Sequence, residues 1–299
     1  MDLLQHLQIF QRVADTGSFS RAATQLGLAP SSVSAAVQKL ERHMGAKLFL
    51  RTTRKVQLSS DGDLLYAHCL QFLSEADAIG QLFQAGEQPA GLLRVEVPAR
   101  MARLQIAPAL PDFLDVYPGA SLDFGGTDRI SDLVGEGIDC VLRVGELGNL
   151  NLAARSLGHL KQVTCASPAL LAQHPEISRL DEASLLPAIH FGRMQAGRPE
   201  FFEFGNSDGV VEIPVWGRVS VANAETYIAC ALSGLGMIQV PRYDVADLLA
   251  AGELVEVLPV HPPPGLPFNA LYPPQQRASR LLHAFIDWVE TLMAPYCER

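Results

Sequence analysis

The chain has 299 residues, of which 48% are hydrophobic and 18% are charged, and its formal net charge is −9. This length accommodates two or three domains, and the composition excludes an intrinsically disordered chain. No stretch of about 18 apolar residues is present, which excludes a conventional membrane-spanning helix. Five scattered cysteines without a C-x-x-C pair argue against a disulfide framework or a zinc site. Because the N-terminus also lacks the basic segment of a signal peptide, we expect a cytoplasmic protein.

The charge is distributed unevenly along the chain. Residues 1–60 contain eight Lys or Arg and three acids, a net charge of +5, whereas the remainder has a net charge of −14. A chance fluctuation over so short a segment is one explanation. The other is a basic nucleic-acid-binding module joined to an acidic regulatory module.

The first sixty residues predict three helices and a hairpin. Apolar residues at helical spacing, with glycines at the ends, predict helices over 3–16, 19–26 and 30–44. Two short apolar runs, at 48–50 and 56–58, flank a basic segment and predict a small hairpin with a basic tip.

The second and third helices have the spacing of a helix-turn-helix. Ala23 is the small residue that two crossing helices need at their contact, and Gly27 supplies the turn. An ordinary helical hairpin fits the same pattern, but the basic hairpin that follows favours a winged helix-turn-helix. Such a unit inserts the start of its second helix into the major groove, while wing cations contact phosphates. The candidate DNA-binding residues are therefore Pro30, Ser31, Ser32, Ser34, Gln38, Lys39, Arg51, Arg54 and Lys55.

A long helix is predicted after Ser60, which has an acid three residues later, close to a capping box. Apolar residues then recur at spacings of three and four, as in a coiled-coil seam. They are Leu65, Cys69, Phe72, Ala76, Ile79 and Phe83. Two interpretations remain open: a surface helix docked on its own domain, or a helix of about 26 residues that pairs with a second copy. The segment 86–91 then predicts a hinge.

Strands and helices alternate beyond residue 92. Strands are predicted at 93–97, 121–124 and 138–144, with helices at 104–117 and 130–136 between them. This order predicts a parallel sheet with helices on both faces. A second alternating set follows, so we expect two lobes, with the chain crossing between them near 162–166 and 266–272.

The chain resembles the LysR-type transcriptional regulators, and the resemblance extends over its whole length. It is carried by Phe19-Ser20-Arg21-Ala22-Ala23-Thr24-Gln25-Leu26, Ser32-Val33-Ser34, Leu40-Glu41, Gly45, Leu48-Phe49, Arg51-Thr52-Thr53-Arg54, Leu58-Ser59 and Glu136-Gly137-Ile138-Asp139. It implies double-stranded DNA as a partner, a linker helix that dimerises antiparallel to its copy, and dimers or dimers of dimers. It also implies a periplasmic-binding-protein-like effector domain, and RNA polymerase is a further candidate partner. One departure is Ala35-Ala36, where the family usually has a longer polar or basic side chain.

The effector domain is expected to bind its ligand in the cleft between lobes, beyond the carboxyl ends of the strands. Helix N-termini near residues 100 and 223 would direct backbone N–H groups into this cleft, which favours a small carboxylate. The candidate effector-binding residues are Ala99, Arg100, Thr127, Asp128, Phe191 and Asn223. Arg100 as an exposed side chain and Asn223 as a helix cap are the alternatives.

These predictions combine into one architecture and one function. The fold class is α+β multidomain: a winged helix-turn-helix, a linker helix and a two-lobed α/β effector domain. The predicted domains are 1–58 for DNA binding, 59–91 for the linker, 92–161 with 267–299 for lobe 1, and 162–266 for lobe 2. We expect a sequence-specific transcriptional regulator controlled by a small molecule, with no cofactor or metal. The alternative is a solute-binding or enzymatic α/β protein, although no catalytic motif was found.

Overall fold

The computed structural model describes residues 3–51, 56–81, 88–128, 133, 136–147, 152–174, 177–192, 200–207, 209–274, 276 and 279–298. The chain divides into two compact units. The first comprises Met1–Gln88, Asp132–Asp139 and Gln275–Arg280, and the second comprises Pro89–Ser131, Cys140–Pro274 and Leu281–Arg299.

The first unit begins with a helical domain followed by a hairpin and a longer helix. Its elements are α1 (Leu3–Thr16), α2 (Phe19–Leu26), α3 (Pro30–Met44), β1 (Phe49–Arg51), β2 (Val56–Leu58) and α4 (Ser60–Gln81). The first three helices have the predicted bounds, because their ends are set by local signals. Phe10, Val33 and Leu40 lie in the shared core of α1 and α3, each with at most 1% of its surface exposed.

The turn between α2 and α3 has the expected helix-turn-helix chemistry. Ser18 caps α2 by accepting the Arg21 N–H, and Gly27 ends it in the left-handed region at φ 64°. The Leu28 N–H then donates to the Ala23 carbonyl at 3.0 Å. Ala23 is 1% exposed, which fits its predicted place at the helix crossing.

Helix α4 packs on the helical domain along its first half. Its cap is Ser59 and not Ser60, since the Ser59 hydroxyl accepts the Gly62 N–H at 3.0 Å. Cys69 is 2% exposed and belongs to the core of the helical domain, whereas Phe72 is 46% exposed. The start of the seam is therefore docked on its own domain, whereas pairing of the helix with a second copy stays a prediction. Phe83 lies outside the described residues.

The second unit contains the remaining strands and most of the remaining helices. They are β3 (Gly91–Val97), α5 (Ala99–Met101), α6 (Ala107–Val116), β4 (Ala120–Gly126), β5 (Cys140–Val144), β6 (Ala153–Leu160), β7 (Gln162–Ala166), α7 (Pro168–Leu171), β8 (Pro187–Phe191), β9 (Glu200–Asn206), β10 (Gly209–Val221), α8 (Ala224–Leu232), β11 (Ile238–Pro241), α9 (Arg242–Ala250), β12 (Val255–Glu256), β13 (Leu266–Tyr272), α10 (Arg280–Met293) and β14 (Cys297–Glu298).

Lobe 1, as we use the term, is the six-stranded sheet with α5, α6 and α10. Its strand order is β14-β6-β13-β5-β3-β4. The three strands predicted to be parallel, β3, β4 and β5, are parallel, but the sheet also contains antiparallel strands that this prediction did not cover. β3 pairs in parallel with β4 and β5, but β13 runs antiparallel to both β5 and β6. The returning strand β13 and the unpredicted strand β6 make the sheet mixed.

Lobe 2 is built on two three-stranded sheets, with strand orders β8-β10-β9 and β11-β7-β12. Strand β9 was not predicted, and β10 extends from Gly209 to Val221. The two strands form an antiparallel hairpin. The short helix predicted at 130–136 lies largely outside the described residues.

The helix that opens lobe 1 begins at Ala99 and not at the predicted residue 104. It contains a π-helical turn, Ala102–Ile106, in which the Ala107 N–H donates to the Ala102 carbonyl five residues earlier. Pro108 follows at once and has no N–H to donate four residues back, so the regular α-helical ladder is interrupted there.

Candidate DNA-binding and effector sites

One face of α3 is polar and exposed. Ser31, Gln38 and Lys39 are exposed, as the sequence predicted for residues that reach DNA, while Ser32 and Ser34 are half-buried. Ala35 is also exposed and lies between Ser31 and Gln38 on the same face, since these positions are four and three residues apart. The middle of this face therefore offers a methyl group where a polar side chain would read a base edge.

The first turn of α3 contains no acidic residue. Its N-cap is Ala29, which supplies no side-chain hydrogen bond, and Pro30 occupies the first helical position. Pro30 is exposed, as is Ala29. A helix start of this kind has positive partial charge and faces outward, which suits a phosphate group.

The wing is described only in part. Strands β1 and β2 pair antiparallel, with Arg51 opposite Val56. The side chain of Arg51, and Arg54 and Lys55 entirely, lie outside the described residues. Their contacts with DNA remain predictions.

Glu41 has a structural task in the helical domain. It is 8% exposed, and its carboxylate accepts the Leu48 N–H at 3.0 Å and pairs with Lys47 at 3.2 Å. The carboxylate thereby ties the end of α3 to the start of the hairpin.

Asp128, one of the predicted effector residues, joins the starts of two helices. Its Oδ1 accepts the Ala99 N–H at 3.0 Å, and its Oδ2 accepts the Ala224 N–H at 2.9 Å. Ala99 is the first residue of α5 and Ala224 the first of α8. One carboxylate thus occupies both of the helix N-termini that the sequence predicted for an external anion.

Arg100 does not reach into an open cleft. It is 6% exposed, its Nη1 donates to Glu225 at 2.7 Å, its Nη2 donates to the Asp244 carbonyl, and its Nε lies 3.4 Å from Asp244 Oδ1. Arg103 contacts the other oxygen of Glu225 at 3.0 Å. A cavity of about 290 Å³ lies against these residues. The Arg100 guanidinium therefore pairs with carboxylates of lobe 2.

Burial shifts the pKa of two groups here. Desolvation raises the pKa of Asp244 to about 7, although the nearby Arg100 charge opposes this. Desolvation also lowers the pKa of Arg143, against the opposing effect of the Glu96 and Asp128 carboxylates. The surroundings of Asp128 therefore contain charges of both signs.

The other predicted effector residues have mixed surroundings. Asn223 caps α8 by accepting the Thr226 N–H at 2.8 Å. Phe191 is 48% exposed, and its ring lies 5.3 Å from the Tyr227 ring. The backbone N–H of Thr127 donates to Val97 at 2.9 Å.

Sequence reasoning missed the acids that hold Arg100. Glu225 and Asp244 are 19 residues apart on different helices and more than 120 residues from their partner. An acid in the first turn of a helix is usual in any protein, so neither residue gave a distinguishing signal. Among the described residues no group of acids, histidines and cysteines could hold a metal ion, and no helix could cross a membrane.

The geometry defines a class of protein: a helix-turn-helix domain with an outward-facing polar helix, joined to a two-lobed α/β domain. Two family models match it in the same order. The bacterial regulatory helix-turn-helix protein, lysR family, matches residues 4–63, and the LysR substrate binding domain matches residues 86–294.

Relatives that the chain matches over nearly its whole length are also transcriptional regulators. The chain is 34% identical over 299 residues to the uncharacterized HTH-type transcriptional regulator YhjC of Escherichia coli (strain K12), covering 100% of both chains. It is 32% identical to the HTH-type transcriptional repressor PA14_22550 of Pseudomonas aeruginosa (strain UCBPP-PA14), covering 98% of this chain and 93% of that one. It is also similar to the solved structure of CrgA, a LysR-type transcriptional regulator from Neisseria meningitidis. That match has 28% identity and a TM-score of 0.58, and it covers 96% and 97% of the two chains.

The chain therefore belongs to the LysR family of transcriptional regulators. The predicted fold class and function are confirmed: a DNA-binding helix-turn-helix domain joined to an effector-binding domain. LysR-type regulators bind DNA and small-molecule effectors and form oligomers. These families and relatives are regulators and not enzymes, so the enzymatic alternative is wrong.

Proposed function

We propose that the chain recognises specific DNA sites through the outward face of α3, its start and the wing. The observation that carries the proposal is an exposed polar helix whose first turn contains no acidic residue. It lies in a segment of net charge +5. The contact residues proposed are Pro30, Ser31, Ser32, Ser34, Gln38, Lys39, Arg51, Arg54 and Lys55. Because Ala35 lies at the centre of the face, base reading falls to Ser31 and Gln38.

The test is the salt dependence of DNA binding. Each lost phosphate contact should reduce the slope of log affinity against log salt by about 0.9. We expect Arg51→Ala and Arg54→Ala to weaken binding to every sequence and to flatten the slope, measured by gel shift on genomic fragments. Arg179→Ala removes an exposed cation from the effector domain and is the control. Unchanged slopes would remove these residues from the interface, and failure to retard any fragment would overturn DNA binding itself.

We propose a small carboxylate as the effector, bound in the cleft between the lobes near Ala99, Thr127, Asp128, Phe191 and Asn223. The two helix starts beside Asp128 and the exposed ring of Phe191 support this class of ligand. Arg100 is proposed to support the site from behind, because its guanidinium is buried against Glu225 and Asp244. A thermal-shift screen of small organic acids is the test. An acid at 100 times its Kd should add about 2.7 kcal/mol to the free energy of unfolding.

We propose a homodimer, or a dimer of dimers, in which α4 pairs with its copy. The exposed Phe72 supports this arrangement, and the apolar spacing continues beyond it. RNA polymerase is a further proposed partner, and the cytoplasm is the proposed compartment because chromosomal DNA is there. Light scattering should give an oligomer for the parent protein and a lower mass for Phe72→Asp. An unchanged mass would exclude this part of α4 as the contact.

A further inference from the structure

The outward face of α3 continues beyond the residues that the sequence predicted for DNA contact. Arg42 is four residues after Gln38 and eleven after Ser31, so about three helical turns bring its side chain to nearly the direction of theirs. Arg42 is exposed, and among the described residues no carboxylate pairs with its guanidinium. Its Nε donates to the Gln38 carbonyl at 3.4 Å, which leaves the Nη donors for a partner outside the chain.

Arg42 borders an open notch of about 450 Å³ between the end of α3 and the start of the hairpin. The residues that line this notch are Gln38, Glu41, Arg42, Gly45, Ala46 and Lys47. Its single acid, Glu41, is 8% exposed and is already bound by the Leu48 N–H and by Lys47. Lys47 is 82% exposed, and its 3.2 Å contact with Glu41 needs only one of three ammonium donors. Because Lys47 offsets Glu41, Arg42 leaves the notch with a net positive charge.

The length of α3 decides what Arg42 reaches on DNA. The exposed polar face extends over three turns, which favours a helix that lies across the major groove over one that enters it by its first turn alone. Arg42 is about 16 Å beyond Ser31 along the helix axis, and the major groove of B-DNA is about 12 Å wide. When the start of α3 lies at one wall of the groove, Arg42 therefore lies past the base edges, at the phosphates of the opposite wall.

We propose that Arg42 binds a backbone phosphate at this far wall, in the notch that it shares with Gln38 and Lys47. A guanidinium suits this role because it binds phosphate through two parallel N–H donors. The inference rests on the proposed DNA interface and adds a contact at the end of α3 opposite to its start. Phosphates at both ends fix where α3 lies across the groove, whereas Arg42 itself reads no base, because phosphates carry no sequence information.

A structural role for Arg42 is the competing explanation. A cation in the last turn of a helix stabilises it by interacting with the backbone dipole. If that were its whole function, Arg42→Gln would lower the melting temperature and leave every contact with DNA unchanged. The two explanations therefore differ in the pattern of phosphate contacts.

The experiment is ethylation interference with the full-length protein, on a genomic fragment that the parent protein retards. Ethylating a contacted phosphate removes the fragment from the bound fraction. In Arg42→Gln we expect interference to disappear at one phosphate per bound subunit and to persist at the others. Affinity should fall about tenfold or more, and the slope of log affinity against log salt should become shallower by about 0.9 per subunit.

A short duplex of unrelated sequence tests whether Arg42 contacts a phosphate or a base. We expect a comparable fold loss on this duplex, since a phosphate contact has no sequence preference. A loss confined to the retarded fragment would mean that Arg42 reads a base, and it would overturn the phosphate contact.

Arg42→Gln combined with His43→Arg is the matched control. His43 is also exposed but lies about 100° around the helix, so the double variant has the parent's number of arginines with one of them off the outward face. We expect the interference that Arg42→Gln loses to stay lost. Recovery of the parent's affinity and salt slope would mean that total charge matters and that the position of Arg42 does not. Arg42→Lys should keep the interference and the slope with part of the affinity, and it serves if the glutamine variant folds poorly.

The failure of this contact is distinguishable from the failure of the DNA interface. If the parent protein retards no fragment, both proposals are wrong. If the parent protein retards fragments and Arg42→Gln gives the parent's interference pattern, only the Arg42 contact is wrong.

Discussion

The start of α3 and the start of α8 both present backbone N–H groups that lack an acceptor within the helix. They differ in whether other residues of the chain accept those N–H groups. α3 begins after Ala29, without a side-chain acceptor, in a basic segment. α8 begins after Asn223, which accepts one N–H, and the Asp128 carboxylate accepts another. Both helix starts attract anions, but only the second has side-chain acceptors among the described hydrogen bonds of these two starts. The comparison teaches that the first N–H groups of α3 have no side-chain acceptor at the N-cap, whereas those of α8 are already bound by Asn223 and Asp128.

The largest expected effect comes from the ion pairs behind the α8 start. Arg100→Met leaves Asp244 and Glu225 without their shared cation, and breaking a buried pair in this way costs about 3–5 kcal/mol. Chemical denaturation measures this loss. Arg103→Met is the control, because Arg103 is 61% exposed and its single contact with Glu225 should contribute less than about 1 kcal/mol. Equal losses in the two variants would mean that Arg100 supports the lobes no more than a surface residue.

The second prediction concerns a variant in which the start of α3, like that of α8, has an aspartate carboxylate as an acceptor. Ala29→Asp supplies an internal carboxylate at the helix start, which should raise the free energy of unfolding by about 1 kcal/mol. It should also weaken DNA binding by about 100-fold, because a like charge then faces the phosphate. Ala29→Ser provides the same cap without the charge and should keep most of the affinity. If the serine variant loses as much affinity as the aspartate variant, the start of α3 does not hold a phosphate.

The third prediction concerns pH. Burial raises the pKa of Asp244 to about 7, from an ordinary value near 4, so between these values the folded chain keeps a proton that the unfolded chain releases. The free energy of unfolding should therefore fall as pH rises through this window, by up to about 1.4 kcal/mol per pH unit. Asp244→Asn should make the dependence shallower. Asp247→Asn, which removes an exposed carboxylate from the same helix, is the control, and identical slopes for Asp244→Asn and the parent would contradict the assignment.

The smallest expected effect is that of the Asn223 cap. Asn223→Ala should lower the free energy of unfolding by about 1 kcal/mol, since α8 loses the acceptor for the Thr226 N–H. If Asn223 also contacts the effector, as proposed, the variant should lose effector affinity as well. A change in stability without a change in effector affinity would mean that Asn223 caps α8 and does not contact the effector.

The sequence predicted the bounds of the helices in the helical domain well, but not the side-chain contacts around the candidate effector residues. The bounds of α1, α2 and α3 depend on signals within a few residues, such as Ser18 and Gly27. The acids that bind Arg100, and the Ala224 N–H that binds Asp128, lie about 100 residues or more away along the chain, and no local pattern predicts them. For the same reason the sequence predicted two anion-attracting helix starts near 100 and 223 without the carboxylate that fills them. The antiparallel pairing of β13 with β5 and β6 is likewise a contact between distant parts of the chain, and the composition of a strand does not determine its direction.

The mixed sheet has a mechanical consequence for the lobes. Leu160, the last residue of β6, and Leu266, the first of β13, are partners in register, so the two chain crossings between the lobes lie side by side. Two adjacent crossings that are hydrogen-bonded to each other resist sliding of one lobe past the other, but they permit the lobes to rotate about them. The bonds from Asp128 are 2.9 and 3.0 Å long, so about 0.5 Å of extra separation brings them to the limit of hydrogen bonding. A rotation between the lobes that is too small to change the structure of either lobe is therefore enough to break the two hydrogen bonds to Asp128.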